Sequence, residues 1–174
     1  MEDLRYPIGR FEAPARVDAP ERERLIAAIQ AAPSELKLAL TGLSESQLDT
    51  RYRPEGWTLR QVIHHLPDSH LNAYTRFRLA LTEEEPLIKP YDEAAWALLS
   101  DARTGPVDVS LALLVALHSR WVALMRAMDG AQWQRAFRHP ERGRLRLDQA
   151  LALYAWHGRH HVAHIQRTRE RSGW

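Results

Sequence analysis

The sequence predicts an all-α fold, a four-helix bundle in one domain over residues 1–174 with short accessory helices in its connections. Three observations carry this. Four long stretches repeat apolar residues at the helical period, strand patterns are nearly absent, and 174 residues with 45% hydrophobic content can bury one sizeable core. One apolar stripe on each of four helices argues for an antiparallel bundle, a fold that commonly builds metal sites from inward-pointing side chains.

The elements follow in order. After an irregular start at Tyr6-Pro7-Ile8-Gly9-Arg10-Phe11, Asp18 is placed to cap the first helix, whose stripe is Leu25, Ile29, Ala32, Leu36 and Leu40. Pro33 interrupts that stripe and should bend or split the helix, because proline lacks the amide donor and crowds the preceding turn. A loop through Arg53-Pro54-Glu55-Gly56-Trp57 leads to Thr58-x-x-Gln61, a capping box that opens a second helix along Leu59, Val62 or Ile63, Leu66, His70, Tyr74, Phe77 and Leu81. The Glu83-Glu84-Glu85 run reads as a solvated helix end. The long connection from Glu83 to Val107 should hold a short helix near Asp92 to Ser100. Asp108 is then expected to cap a third helix carrying Leu111, Leu114, Val115, His118, Val122, Met125 and Met128, closed by Asp129-Gly130. The fourth runs from about Leu147 to Arg171.

Composition narrows the function classes. The chain has no Cys, so disulfides, thiolate metal sites and cysteine nucleophiles are excluded, and any thiol chemistry needs a thiol from outside. A net charge of +2 with acids and bases interspersed gives no basic face for nucleic acid. No signal-peptide pattern follows Met1 and no apolar run approaches a membrane-spanning length, so a cytoplasmic location is expected.

The most informative segment is Tyr154-Ala155-Trp156-His157-Gly158-Arg159-His160-His161-Val162-Ala163-His164, with four of nine histidines. At about 100° per residue, His161 lies roughly 40° and His164 about 20° from His157, while His160 falls about 60° off. An i,i+4 histidine pair on one face can hold a single transition-metal ion, and a third ligand must come from another helix. His64-His65-Leu66-Pro67-Asp68-Ser69-His70 offers it. His65, about 60° in phase from Val62, sits at the edge of the apolar stripe and His64 a further 100° away; phase leaves His64 and His70 open as alternatives. Burial tendencies favour packed or supporting roles for His64, His70, His118, His160 and His164.

Several stretches together resemble the YfiT-like branch of the DinB superfamily: Tyr6-Pro7-Ile8-Gly9, Gly56-Trp57-Thr58-Leu59-Arg60-Gln61-Val62, His64-His65-Leu66-x-Asp68-Ser69-His70, Lys89-Pro90-Tyr91-Asp92 and the Trp156-His157 segment. The resemblance implies an up-down-down-up four-helix bundle, a homodimer, and one zinc- or nickel-type divalent ion per chain held by His65, His157 and His161. It also implies one of two activities, metal-dependent hydrolysis or bacillithiol-type thiol S-transfer. One departure is Pro67, which stands where the family has a small non-proline residue and should kink the helix two residues past His65.

Three neutral imidazoles leave an ion's charge uncompensated and a coordination position open, the pattern of a catalytic site. Such an ion brings the pKa of water to about 7 and deprotonates a thiol outright. The expected function is therefore a metal-dependent enzyme that activates a small nucleophile, foremost a low-molecular-weight thiol, against a small electrophile. Hydrolysis through activated water is the first alternative, and a non-catalytic metal-binding or damage-response interaction protein the second. Asp68, one turn from His65, is placed to orient a ligand or act as a base.

Overall fold

The computed structural model describes residues 3–174, so Met1 and Glu2 of the expected domain lie outside the described residues. Four long helices dominate: α1 (Ala19–Leu40), α3 (Leu59–Thr82), α6 (Val107–Arg126) and α8 (Leu147–Ser172). Around the bundle α1 packs on α8 and α6, and α3 packs on the same two, which puts α1 and α3 on a diagonal. Of the long helices consecutive in sequence, α3 and α6 are thus neighbours in space, whereas α1 and α3 are not. The short elements α2 (Glu45–Leu48), α4 (Glu93–Trp96), α5 (Ser100–Thr104) and α7 (Gly130–Gln134) fill the connections.

Local chemistry sets the helix starts. Asp18 accepts from the Glu21 amide at 2.9 Å at the head of α1. At α3 both arms of the capping box form, Gln61 amide to Thr58 Oγ1 at 3.2 Å and Thr58 amide to Gln61 Oε1 at 2.9 Å. The buried Arg60 then ties that end down, donating to Asp49 at 2.7 Å, Glu45 at 2.6 Å and the Gly105 carbonyl at 3.0 Å. At the other terminus of the chain, α8 stops at Gly173 with φ 69°, a left-handed residue that glycine adopts without strain.

The structure corrects several expectations. Pro33 and Pro67 both lie inside unbroken helices, so Pro33 does not split α1. The cap of α6 is Pro106 and has no side-chain hydrogen bond; Asp108 lies inside the first turn, where its charge complements the helix dipole. Asp129, expected to close α6, caps α7 instead through a capping box with Gln132. The connection after α3 holds two short helices rather than one.

A β-hairpin also escaped the sequence pattern. Strands β1 (Ala136–His139) and β2 (Gly143–Arg146) pair antiparallel, with Phe137 opposite Leu145 and His139 opposite Gly143. Three residues join them, and Gly143, the first residue of β2, has φ 70°, a left-handed conformation that glycine adopts without strain. Glu85, read as solvated, pairs with both Arg138 and Arg144 and pins the hairpin to the end of α3. Helix α6 is long and apolar enough by composition to cross a membrane, contrary to expectation. It packs in the bundle through Leu114, Leu117, Trp121 and Met125.

The interior has three layers. One apolar cluster gathers Leu25, Ile29, Phe77, Trp121, Leu147 and Leu151 among others; a second gathers Leu36, Leu59, Ile63, Leu114, Val162 and Ile165. Between them, on α3, α6 and α8, lies a band of histidines.

Candidate metal centre

Eight of the nine histidines occupy this band: His64, His65 and His70 on α3, His118 on α6, and His157, His160, His161 and His164 on α8. Helical phase brings three of them to one point. The Nε2 atom of His157 lies 3.3 Å from that of His65 and 3.2 Å from that of His161. Each of the three can offer one ring nitrogen such that all three lie within 4.8 Å of one another. His65 and His161 are buried and His157 is half-buried.

Burial keeps these rings neutral. It pushes His65 down to about 4, helped by His160 nearby, and it pushes His157 and His161 well below the usual histidine range, helped by each other and by the neighbouring imidazoles. Neutral imidazoles brought nitrogen to nitrogen would face one another with lone pairs unless a proton or a cation lay between them. Nitrogens bound to one zinc-type ion at about 2.0–2.1 Å and tetrahedral angles are about 3.3–3.4 Å apart, close to the spacing seen here. The donor set suits zinc, nickel, copper or iron, so these residues fit the divalent ion that the sequence predicts.

The alternatives on α3 resolve differently. His64 turns away from the cluster, with Nδ1 2.7 Å from the Ser110 hydroxyl and Nε2 3.1 Å from the Gly105 carbonyl, so both its nitrogens are engaged. His70 lies below the cluster, its Nε2 3.2 Å from Nδ1 of His157. Asp68 is not brought to the converging nitrogens. It is half-buried, and burial together with Asp101 holds its carboxyl above the usual range, against the pull of His64.

A second group, His160, His161 and His164, lies on α8 alone and shares His161 with the first. His160 stacks on Trp156 with ring centroids 4.4 Å apart, and its buried Nδ1 has no hydrogen-bond partner. Two aromatic rings neighbour the ligands, Trp57 at 4.8 Å from the His65 ring and Tyr154 at 6.2 Å from that of His157. Arg76 donates to the Tyr154 hydroxyl at 2.9 Å. Burial pushes the Tyr91 hydroxyl up to about 12, although it also bonds to Ser69. Arg76 was missed in the sequence; eleven residues beyond His65, about 20° in phase, it shares that histidine's face, and this was the signal available.

The DinB superfamily model matches residues 28–165 of the chain. A Bacillus mycoides protein is 51% identical over the full length of both chains, and one from Bacillus licheniformis is 51% identical over all of this chain and 99% of its own; both carry the provisional name metal-dependent hydrolase. The solved structure of YfiT from Bacillus subtilis superposes with a TM-score of 0.97 over 99% of each chain at 46% identity. It is described, also provisionally, as a metal-dependent hydrolase with an unusual four-helix bundle topology. A second solved four-helix bundle, 20% identical, matches with a TM-score of 0.59 over 84% of this chain and shares the fold alone.

Proposed function

The chain belongs to the DinB superfamily, and from that premise we propose that it is a metal-dependent enzyme in which His65, His157 and His161 hold one divalent ion, zinc or nickel in type. The observation that carries this reading is the approach of the His65 and His161 Nε2 atoms to that of His157, at 3.3 and 3.2 Å. When bound, such an ion supplies Lewis acidity and lowers the pKa of a water or thiol that joins it.

The chain's own residues do the remaining work. Trp57 and the two apolar layers exclude bulk water from the buried imidazoles, which strengthens every polar interaction there. Arg76, fixed by Tyr154, presents a cation able to hold a polar group of a small electrophile beside His157.

Thiol transfer is the favoured reaction. The converging group contains no carboxylate, and a thiol would be deprotonated outright at such a site, whereas water with a pKa of about 7 would be only partly ionised at neutral pH. The protein has no Cys, so the thiol is an external low-molecular-weight one. Hydrolysis is the second reading, favoured by the names of the relatives. Asp68 is not one of the converging groups, and the proposed chemistry needs no step from it.

The experiment is a turnover screen of the metal-loaded protein against electrophiles, with and without low-molecular-weight thiols, and after chelation. Turnover that needs both metal and thiol is the expected result. Turnover needing metal alone would move the assignment to hydrolysis. Absence of both would overturn the enzyme reading in favour of a metal-binding interaction protein.

A further inference from the structure

Behind the two ligands on α8 lie hydrogen-bonded histidines whose direction can be worked out from their ends. The first chain begins at Ile29 on α1. Its carbonyl would ordinarily accept from the amide four residues on, but that residue is Pro33, which has no N–H. The His118 Nδ1 atom instead lies 2.6 Å from that oxygen. A carbonyl only accepts, so His118 donates from Nδ1, and the neutral ring keeps a lone pair on Nε2.

That lone pair faces Nδ1 of His70 at 2.7 Å. The two rings are within 6° of parallel with centroids 4.9 Å apart, so at this nitrogen separation they meet edge to edge, in the plane that holds both lone pair and N–H. His70 therefore donates from Nδ1 and keeps its lone pair on Nε2. This lone pair lies 3.2 Å from Nδ1 of His157, which must donate in turn. His157 is left with a bare Nε2 aimed at His65 and His161.

The second chain begins at the Arg5 carbonyl, 3.3 Å from Nε2 of His164. His164 donates there and turns a lone pair on Nδ1 toward Nδ1 of His161, at 3.4 Å. His161 donates from Nδ1, and its Nε2 is bare as well. The supporting rings are sealed from solvent: His70, His118 and His164 are 0%, 2% and 3% exposed.

We infer that His70, His118 and His164 are positioning residues, forming two one-way hydrogen-bond chains that start at the Ile29 and Arg5 carbonyls and lock His157 and His161 as Nδ1–H tautomers with both Nε2 atoms bare. Metal-bound histidines generally donate their other N–H to a carboxylate, carbonyl or water. Here the acceptors are other imidazoles, and two histidines, His70 and His118, stand between His157 and the Ile29 carbonyl. This inference deepens the proposed metal centre and rests on it for its purpose, though the tautomers themselves do not depend on an ion.

The first test is therefore made on metal-free, full-length protein by ¹⁵N-detected imidazole NMR. Nδ1–H forms are expected at His70, His118, His157 and His161, and an Nε2–H form at His164. An Nε2–H form at His157 or His161 overturns the inference. The second test titrates cobalt(II) and follows its visible bands. His118→Phe, which leaves the His70 N–H without an acceptor, is expected to weaken cobalt binding by about 10–100-fold and shift the bands. His118→Gln, which keeps an acceptor near the Nε2 position, should restore most of the loss. Equal affinity in His118→Phe and wild type overturns the chain, and a loss that His118→Gln does not restore assigns His118 to packing. A wild-type protein that binds no metal would sink the proposed function, while the NMR result would still decide the tautomers.

Discussion

The histidine band and the apolar layers on either side of it are both largely buried, yet they respond to different variables. Residues such as Phe77, Leu147 and Leu36 gain from burial at any pH. The histidines are buried at a cost that stays small only while their rings are neutral. The bundle therefore draws its stability from the two apolar layers and places its reactive groups in the one layer that can turn against it.

The sharpest test of this contrast is pH. Burial pushes His65, His118 and His160 down to about 4 and His164 to about 3, below the ordinary value of 6.5. With folded-state values depressed, the unfolded chain binds more protons between those limits, so stability is full above about pH 6.5 and is lost as pH falls toward 4. At pH 5 unfolding should take up roughly three to four protons on these residues alone. The metal-free protein is expected to lose on the order of 5 kcal/mol between pH 7 and pH 5, read from urea midpoints. A flat profile over that range would break the comparison.

In the apolar layers, Leu147→Ala should cost about 2–5 kcal/mol at every pH. Leu147 is fully buried and ten residues before His157, so cobalt affinity of the folded protein should not change. A coupled loss of affinity would show that the layers are not separate. Conversely, His65→Ala should abolish metal retention, by elemental analysis, while shifting metal-free stability by no more than about 1 kcal/mol, because the removed ring was itself costly to bury. His64→Ala should retain metal, since its nitrogens serve Ser110 and Gly105. Full metal content in His65→Ala would refute the ligand set.

The smallest expected effect lies where the layers touch. A Cβ on Gly158 would sit 3.5 Å from the Ala32 side chain and 3.6 Å from His70 Cε1, at ordinary contact distances. Gly158→Ala should raise the unfolding midpoint by the equivalent of about 0.5–1 kcal/mol, the helix-interior cost of glycine. A fall would mean that His70 tolerates no neighbour there.

Much of this was legible in the sequence because it is local or periodic. The Asp18 cap and the Thr58-Gln61 box announce helix starts, and a 3.6-residue period sets His157 and His161 on one face and His65 at the edge of its stripe, with His64 and His70 left open beside it. The hairpin was not legible, since four-residue strands alternating Phe137, Arg138 and His139 carry too short a pattern to outweigh their helical surroundings. Nor were the contacts of His70 and His118. Both stood on the right stripes, but which helices are neighbours is a tertiary fact, and the diagonal placement of α1 and α3 reverses the simplest guess. That Pro33 does not split α1 was not legible for the same reason: its local effect is a missing donor, and the group that replaces the donor comes from a helix 85 positions further along, at His118.

The groups from the Ile29 carbonyl to the His157 ring stand on α1, α6, α3 and α8 in turn, one from each long helix. A newly made chain with α1, α3 or α6 undocked could still expose the His157/His161 pair on α8, but it would lack the fixed tautomer of His157, and with α3 undocked the third imidazole as well. Tight metal capture thus reports on completed assembly, and a half-folded chain competes poorly for the ion against its finished copies.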